Sequence, residues 1–436
     1  MKELFKELIV SFQASELPTP LKRTFELLTL PPHVRKADVL IGMRRSGKTW
    51  SFYHIIHELR LSGIEKSKIM YINFEDDRLL AMKANNFQDI LEAYFEIYPE
   101  YLQRNDIYFF FDEIHEIPGW EKFIRRLLDQ EKIKIFVSGS SCKLLSKEIA
   151  SSLRGRTVVY EIFPFSFGEY LNAQEIITSS PVMSTKQKIL VLSSFEHFLK
   201  FGGFPEVIGA TAEVHRTILQ GYTESVLYRD IVDRYGVSNT HVLKQLLFYC
   251  MRNSAKIFSV NKMYQALKSA GYEVSKNSLY DYMTYFEDAY CIFSVHKFDI
   301  SQRKSSTSMK KIYAIDQGLI TAFSLASQFD KAAQLETAVF AYLRRQSSSL
   351  FYYRTADGKE VDFMLLLPDS SMKLFQVCHS MEDAHTRKRE ISALETAMKE
   401  LKLTSGYILT LNEEESVVCP EGTIEIIPAW KVFITS

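Results

Sequence analysis

The 436-residue chain carries 53 Lys plus Arg against 53 Asp plus Glu, so its formal net charge is zero. That excludes a chain-wide positive field for nucleic acid but not a local patch. Hydrophobic residues at 46% and charged residues at 24% are ordinary for globular domains. Twelve Pro and 17 Gly exclude a collagen-like chain, and five scattered cysteines without a CxxC pair exclude a disulfide framework or zinc ribbon.

Residues 1–36 read as a helix-rich lead-in interrupted by Pro18, Pro20, Pro31 and Pro32. The N-terminus lacks a signal-peptide core, and no apolar run is long enough to span a bilayer, so a cytoplasmic protein without a membrane partner is expected. From 37 to 170, short apolar strands at 37–41, 68–74, 107–111, 133–138 and 158–162 alternate with helical patterns at 49–61, 86–98 and 120–128. This rhythm predicts an α/β core, a mostly parallel sheet covered on both faces. Residues 171–250 are predicted helical. Residues 251–320 read as a small helical unit ending in a two-stranded ribbon at 292–298 and 311–315. The polar stretch 321–335 reads as a linker. A second α/β domain follows over 335–436, with helices at 336–343 and 385–401 and strands at 351–355, 360–367, 373–378 and 405–409.

Gly42-Met43-Arg44-Arg45-Ser46-Gly47-Lys48-Thr49 satisfies G-x-x-x-x-G-K-[ST] between a predicted strand and a predicted helix. In that frame, backbone N–H groups converge on phosphate oxygens at the positive end of the helix. Lys48 is expected on the β and γ phosphates of ATP, and Thr49 on Mg2+. The strand 107–111 ends in Asp112-Glu113, which assigns Asp112 to the metal and Glu113 to the attacking water. The strand 133–138 ends in Ser138-Gly139-Ser140-Ser141. Ser138 and Ser140 are both candidates to bond the γ-phosphate or the water, against a plain helix-cap role. Arg154 and Arg156 in Leu153-Arg154-Gly155-Arg156, Arg156 foremost, are candidates to stabilise phosphoryl charge, in cis or from a neighbouring subunit, against a plain surface role. Arg44 and Arg45 either contact the anion or face solvent.

Leu40 to Thr49, Tyr71-Ile72-Asn73-Phe74-Glu75-Asp76, Phe111-Asp112-Glu113-Ile114-His115, Ser138 to Ser141 and Phe163-Pro164-Phe165-Ser166-Phe167-Gly168-Glu169-Tyr170 together resemble a known family. So do Phe201-Gly202-Gly203-Phe204-Pro205-Glu206 and Tyr228-Arg229-Asp230-Ile231. It is the prokaryotic AAA-type P-loop ATPase family whose members carry a C-terminal conserved domain of unassigned function. The resemblance implies ATP binding with Mg2+, ATP hydrolysis, a winged-helix middle domain and a restriction-nuclease-like C-terminal fold. It also singles out Glu75, either facing the nucleotide beside Asp112 or capping a turn with Asp76 and Asp77.

Residues 251–311 hold 10 Lys plus Arg and 5 Asp plus Glu. Helices at 262–269 and 278–287 followed by the ribbon fit a winged helix, with Arg303, Lys304 and Lys310 around the wing tip as candidate duplex-DNA contacts. Asp281, Glu287 and Asp288 on or beside the second helix argue for a protein-docking role instead. In the C-terminal region Glu336 and Asp362 match acids of the nuclease-like pattern, but Gln376 stands where an acid belongs and Cys378 where a lysine belongs. An amide is a weak Mg2+ ligand and a thiol a poor substitute for an ammonium, so this site is expected to be catalytically degenerate.

Overall fold

The computed structural model describes residues 1–31, 33–139, 153–176, 183–299, 309–324 and 330–434. The chain divides into two compact units, Met1–Ile162 and Phe163–Ser436.

The first unit begins with helix α1 (Lys2–Ala14), and the described residues between it and strand β1 (Ala37–Ile41) form no helix or strand, so the helical lead-in is shorter than expected. Helix α2 (Lys48–Leu61), β2 (Ile69–Asn73), α3 (Phe87–Ile97), β3 (Ile107–Asp112), α4 (Trp120–Gln130), β4 (Ile133–Ser138) and β5 (Thr157–Glu161) follow. All five strands are parallel in the order β2-β3-β4-β1-β5. The apolar run of β3 explains itself face by face. Phe110 points to α2, meeting Phe52 at 5.3 Å and stacking on Phe136 at 4.4 Å. Phe109 and Phe111 point the other way, to Tyr94 of α3 and Phe123 of α4. With both faces buried, alternation vanishes and only a continuous hydrophobic strand remains. The insertion of β4 between β1 and β3 brings the ends of all three strands to one edge, where Gly42, Asp112 and Ser138 meet.

Among the described residues, the second unit holds a nine-stranded mixed sheet. Its first part is the antiparallel set β6 (Lys256–Phe258), β8 (Lys310–Ala314) and β7 (Ile292–Lys297), beside the helices Val260–Ser269 and Lys276–Asp288. β7 then pairs in parallel with β9 (Leu350–Arg354), through His296 opposite Phe351 and Lys297 opposite Tyr352. β10 (Glu360–Leu366), β11 (Met372–Val377), β12 (Ser405–Thr410), β14 (Gly422–Pro428) and β13 (Glu415–Cys419) complete the sheet. The stretch read as a linker carries the helix Gln317–Phe323 and the start of the helix Lys331–Gln346. Both are packed inside this unit, because the sheet is continuous across them.

A buried carboxylate anchors the helical part of the second unit. Asp316 accepts the N–H groups of Gly203 and Gly318, each at 2.8 Å. A Cβ on Gly203 would lie 2.2 Å from the Phe165 carbonyl oxygen, which accounts for the Gly202-Gly203-Phe204-Pro205 run. Burial pushes Asp316 up to about 6 even though both amides favour its charged form.

Candidate nucleotide site

Strand β1 ends against β5 so tightly that a Cβ on Gly42 would fall 2.2 Å from the Ile162 carbonyl oxygen. The loop that follows turns through Arg45 and Gly47, both at positive φ, into the N-terminus of α2. Lys48 is buried and folds back on its own loop, donating to the carbonyls of Gly42 at 3.2 Å and Met43 at 3.4 Å. Its ammonium lies 3.8 Å from Glu113 Oε1.

Asp112 is the hub, with no solvent exposure. Thr49 Oγ1 donates to its Oδ2 at 2.7 Å, and Tyr71 Oη donates to the same oxygen at 2.8 Å. Ser138 Oγ donates to the other oxygen, Oδ1, and accepts the Glu113 N–H at 3.2 Å. Burial raises the Glu113 carboxyl above its ordinary range, and Asp112 adds to this while Lys48 and His115 oppose it. A buried aspartate bonded by the loop threonine, with a glutamate and a lysine beside it, is a donor set suited to Mg2+ and a nucleotide phosphate.

Of the two serines, Ser138 joins this cluster; Ser140 lies outside the described residues. Glu75 is half-exposed and pairs with Arg44 at 3.3 Å, while Asp76 takes the turn-capping role by accepting the Arg78 N–H. Arg45 is exposed. Arg156 requires a correction for action in cis. It precedes β5, its carbonyl accepts the Ala37 N–H at the start of β1, and its guanidinium pairs with Asp129. The phosphate loop leaves the opposite end of β1, about 15 Å away at roughly 3.3 Å per residue. Arg154 lies on the same connection, at φ +51°.

Two site residues escaped the sequence reading. Tyr71 was legible only as a β-strand aromatic; its partner Asp112 is not adjacent in sequence. Arg23, from the irregular lead-in, is buried and donates to the Ser46 carbonyl of the phosphate loop at 3.3 Å. Nothing in its local sequence marks it.

The C-terminal acids also meet, around an unexpected cation. Lys311 of β8 lies 2.8 Å from Asp362, 2.9 Å from Glu360 and 3.2 Å from Glu336. Tyr313 Oη donates to Glu336 at 2.7 Å. Burial disfavours the Lys311 ammonium, but Asp362, Tyr313, Glu336 and Glu360 outweigh it and hold the group charged. Gln376 bridges the Asp362 N–H and buried Glu390, at 3.2 and 2.5 Å. Cys378 donates to the Ser380 carbonyl, and burial pushes its thiol up to about 11. Lys310 is tied to Glu287 at 3.1 Å; Arg303 and Lys304 lie outside the described residues. Among the described residues no group of three or more His, Cys, Asp or Glu side chains is arranged to hold a metal ion, and no helix is long and apolar enough to cross a membrane.

An AAA domain model matches residues 34–171, and two domains of unknown function, DUF8612 and DUF4143, match 192–330 and 331–432. The uncharacterized protein MJ1544 of Methanocaldococcus jannaschii is 35% identical over 446 residues, covering 100% of this chain and 96% of its own. An uncharacterized protein of Haemophilus influenzae is 29% identical over 370 residues, covering 85% and 89%. The solved Walker-type ATPase PABY2304 of Pyrococcus abyssi aligns over 67% of this chain and 91% of its own, at 14% identity and a TM-score of 0.42. The chain belongs to the family of the M. jannaschii protein, in which an AAA-type P-loop ATPase domain precedes two C-terminal domains of unknown function.

Proposed function

We propose that the first unit binds ATP and hydrolyses it to ADP and phosphate, and that nucleotide state governs what the second unit binds. The carrying observation is the Thr49–Asp112 contact at 2.7 Å beside buried Lys48 and Glu113. Mg2+, when bound, supplies positive charge at the phosphates, and Thr49 and Asp112 are the groups that would hold it. Lys48 exchanges its loop carbonyls for phosphate oxygens. Glu113 accepts the hydrogen bond of the attacking water and orients it, with Ser138 fixing the Asp112–Glu113 backbone from the next strand. Steady-state ATP turnover of the full chain, with Lys48→Ala and Glu113→Gln as controls, tests the reading: absence of magnesium-dependent turnover in the parent refutes hydrolysis.

A second reading, a nucleotide-gated interaction module with little turnover, draws on the second unit. We read the β6–β8–β7 set with its two helices as a winged helix and the sheet from β9 onward as a nuclease-like fold. The group such a nuclease fold implies is a divalent cation, and the residues do not fit it. Gln376 is an amide, Cys378 a protonated thiol, and the Lys311 ammonium already sits among the carboxylates. No hydrolytic step is assigned there. Lys310, neutralised by Glu287, favours a protein partner over duplex DNA for the ribbon.

A further inference from the structure

His115 is the third residue after Asp112 in the run Asp112-Glu113-Ile114-His115, and no role follows from the motif alone. Its placement comes from the backbone. Glu113 adopts the left-handed region, φ 51° and ψ 37°, and a 3-10 turn over Ile114–Glu116 follows at once. The sharp turn folds the chain back, so the imidazole returns beside the Glu113 carboxylate. His115 Nδ1 lies 3.2 Å from Glu113 Oε2, within ion-pair range but not aligned as a hydrogen bond, and Nε2 lies 3.0 Å from Glu116 Oε1. The imidazole side chain is 1% exposed and that of Glu113 11%.

We propose that His115 is the positioning residue of the hydrolytic site, holding one oxygen of Glu113 so that the other faces the attacking water. This rests on the ATPase reading above. A glutamate's terminal torsion is broad, so a carboxylate touched on one side only samples many orientations. Here Oε1 faces Lys48 and Oε2 faces His115. Once Lys48 engages phosphate, His115 remains as the lateral restraint. Glu116 fixes the ring from the far side, and with a carboxylate oxygen at each nitrogen the ring form that restrains both is the imidazolium, in which Nδ1 and Nε2 each donate. Contacts of this kind are commonly loose before substrate binds and tighten in the loaded complex. Misplacing a reacting group by about 1 Å costs on the order of 100-fold in rate.

The test uses three substitutions in the full chain. His115→Ala removes both contacts. His115→Asn keeps a donor near the Nδ1 position, facing Glu113, and His115→Gln keeps one near Nε2, facing Glu116. For each, turnover with Mg2+ and ATP is measured alongside equilibrium ATP affinity and thermal midpoint. The expected result is a kcat loss of about 10- to 100-fold for His115→Ala at unchanged ATP affinity, substantial recovery in His115→Asn, and none in His115→Gln. If His115→Ala does not fold, the Asn and Gln pair, both polar, decides alone. Equal activity of those two, or an undiminished kcat in His115→Ala, overturns the proposal while leaving the ATPase reading intact. A parent chain that binds ATP without turning it over fails the ATPase reading itself, and the role of His115 with it.

Discussion

Lys311 Nζ lies 2.8 Å from Asp362 Oδ1, joining a strand of the β6–β8–β7 set to the central strand β10. One ammonium there faces three carboxylates, and the excess shows in Glu336, which burial and Asp362 raise above its ordinary range. Lys311→Ala should therefore leave uncompensated buried charge and cost about 3–5 kcal/mol. Without the cation, the folded pKa of Glu336 moves further above its unfolded one. Its stabilising contribution is then present at low pH and lost as pH rises. The deficit of the variant should shrink between pH 8 and pH 5, measured by denaturant unfolding at each pH; a deficit independent of pH contradicts the charge argument.

In the phosphate loop, Lys48→Ala should abolish ATP binding or its productive placement, because it removes the positive charge that faces the β and γ phosphates and leaves Glu113 uncompensated beside them. Glu113→Gln should keep ATP affinity, since Thr49 and Asp112 are untouched, and lower turnover by orders of magnitude. Calorimetric titration and single-turnover assays separate the two. Unchanged turnover in Glu113→Gln would transfer the water-orienting role elsewhere.

Much of the first unit was legible because its signals are local. The apolar strands and the G-x-x-x-x-G-K-T loop each declare themselves within ten residues, and β1 and β4 lie at the predicted positions. Asp112 ends β3 rather than following it, since it pairs with Asn73 and its carbonyl accepts the Phe74 N–H at 2.9 Å. What escaped depends on residues distant in sequence. Arg23 reaches the loop from an irregular segment, and Lys311 reaches Asp362 across a sheet whose order no local pattern encodes. Strand alternation puts Lys311 and Tyr313 on one face of β8, and Glu360 and Asp362 on one face of β10. Pairing those faces required the β7–β9 register. The final hairpin β13–β14 was missed because β13 is mostly exposed and lacks the alternation of a half-buried strand.

Gly203 offers a stability test of the second unit independent of any activity. A Cβ there would meet the Phe165 carbonyl oxygen at 2.2 Å, and its nearest neighbours are all Phe165 backbone, so no side chain can move aside to relieve it. Gly203→Ala should destabilise by more than about 3 kcal/mol. Gly209→Ala, where nothing lies within 4 Å but φ is +78°, should cost only about 1 kcal/mol. Similar losses at both positions would show that the Asp316 loop is not the tight anchor described.

Asp316 gives a pH dependence of fixed sign. Its folded pKa is pushed up to about 6 from 3.8. A raised value means its contribution is fully present below about pH 4 and lost as pH rises through about 6. Asp316→Asn should remove this component, so the slope of stability against pH between 4 and 7 becomes more positive in the variant than in the parent. Parallel profiles would show that Asp316 titrates as it does in the unfolded chain.

The last prediction concerns metal and nucleic acid together. With Lys311 among Glu336, Glu360 and Asp362, a divalent cation entering the second unit must displace a hydrogen-bonded ammonium and find ligands where Gln376 and Cys378 offer an amide and a protonated thiol. Mg2+ demands near-ideal octahedral oxygen ligation, so it should not enter at millimolar concentration. Mn2+ binding to the nucleotide-free chain, followed by electron paramagnetic resonance, should be insensitive to Asp362→Asn, and supercoiled DNA should stay intact. Duplex binding should be weak even at low salt in both ATP and ADP states. Neutralising Arg303, Lys304 and Lys310 together should then change little, whereas a phosphate-contacting wing would lose affinity for all sequences alike and flatten its salt dependence. Mn2+ lost on Asp362→Asn, with nicking lost in the same variant, would mean that Lys311 yields to the metal and serves the phosphate instead of guarding the acids.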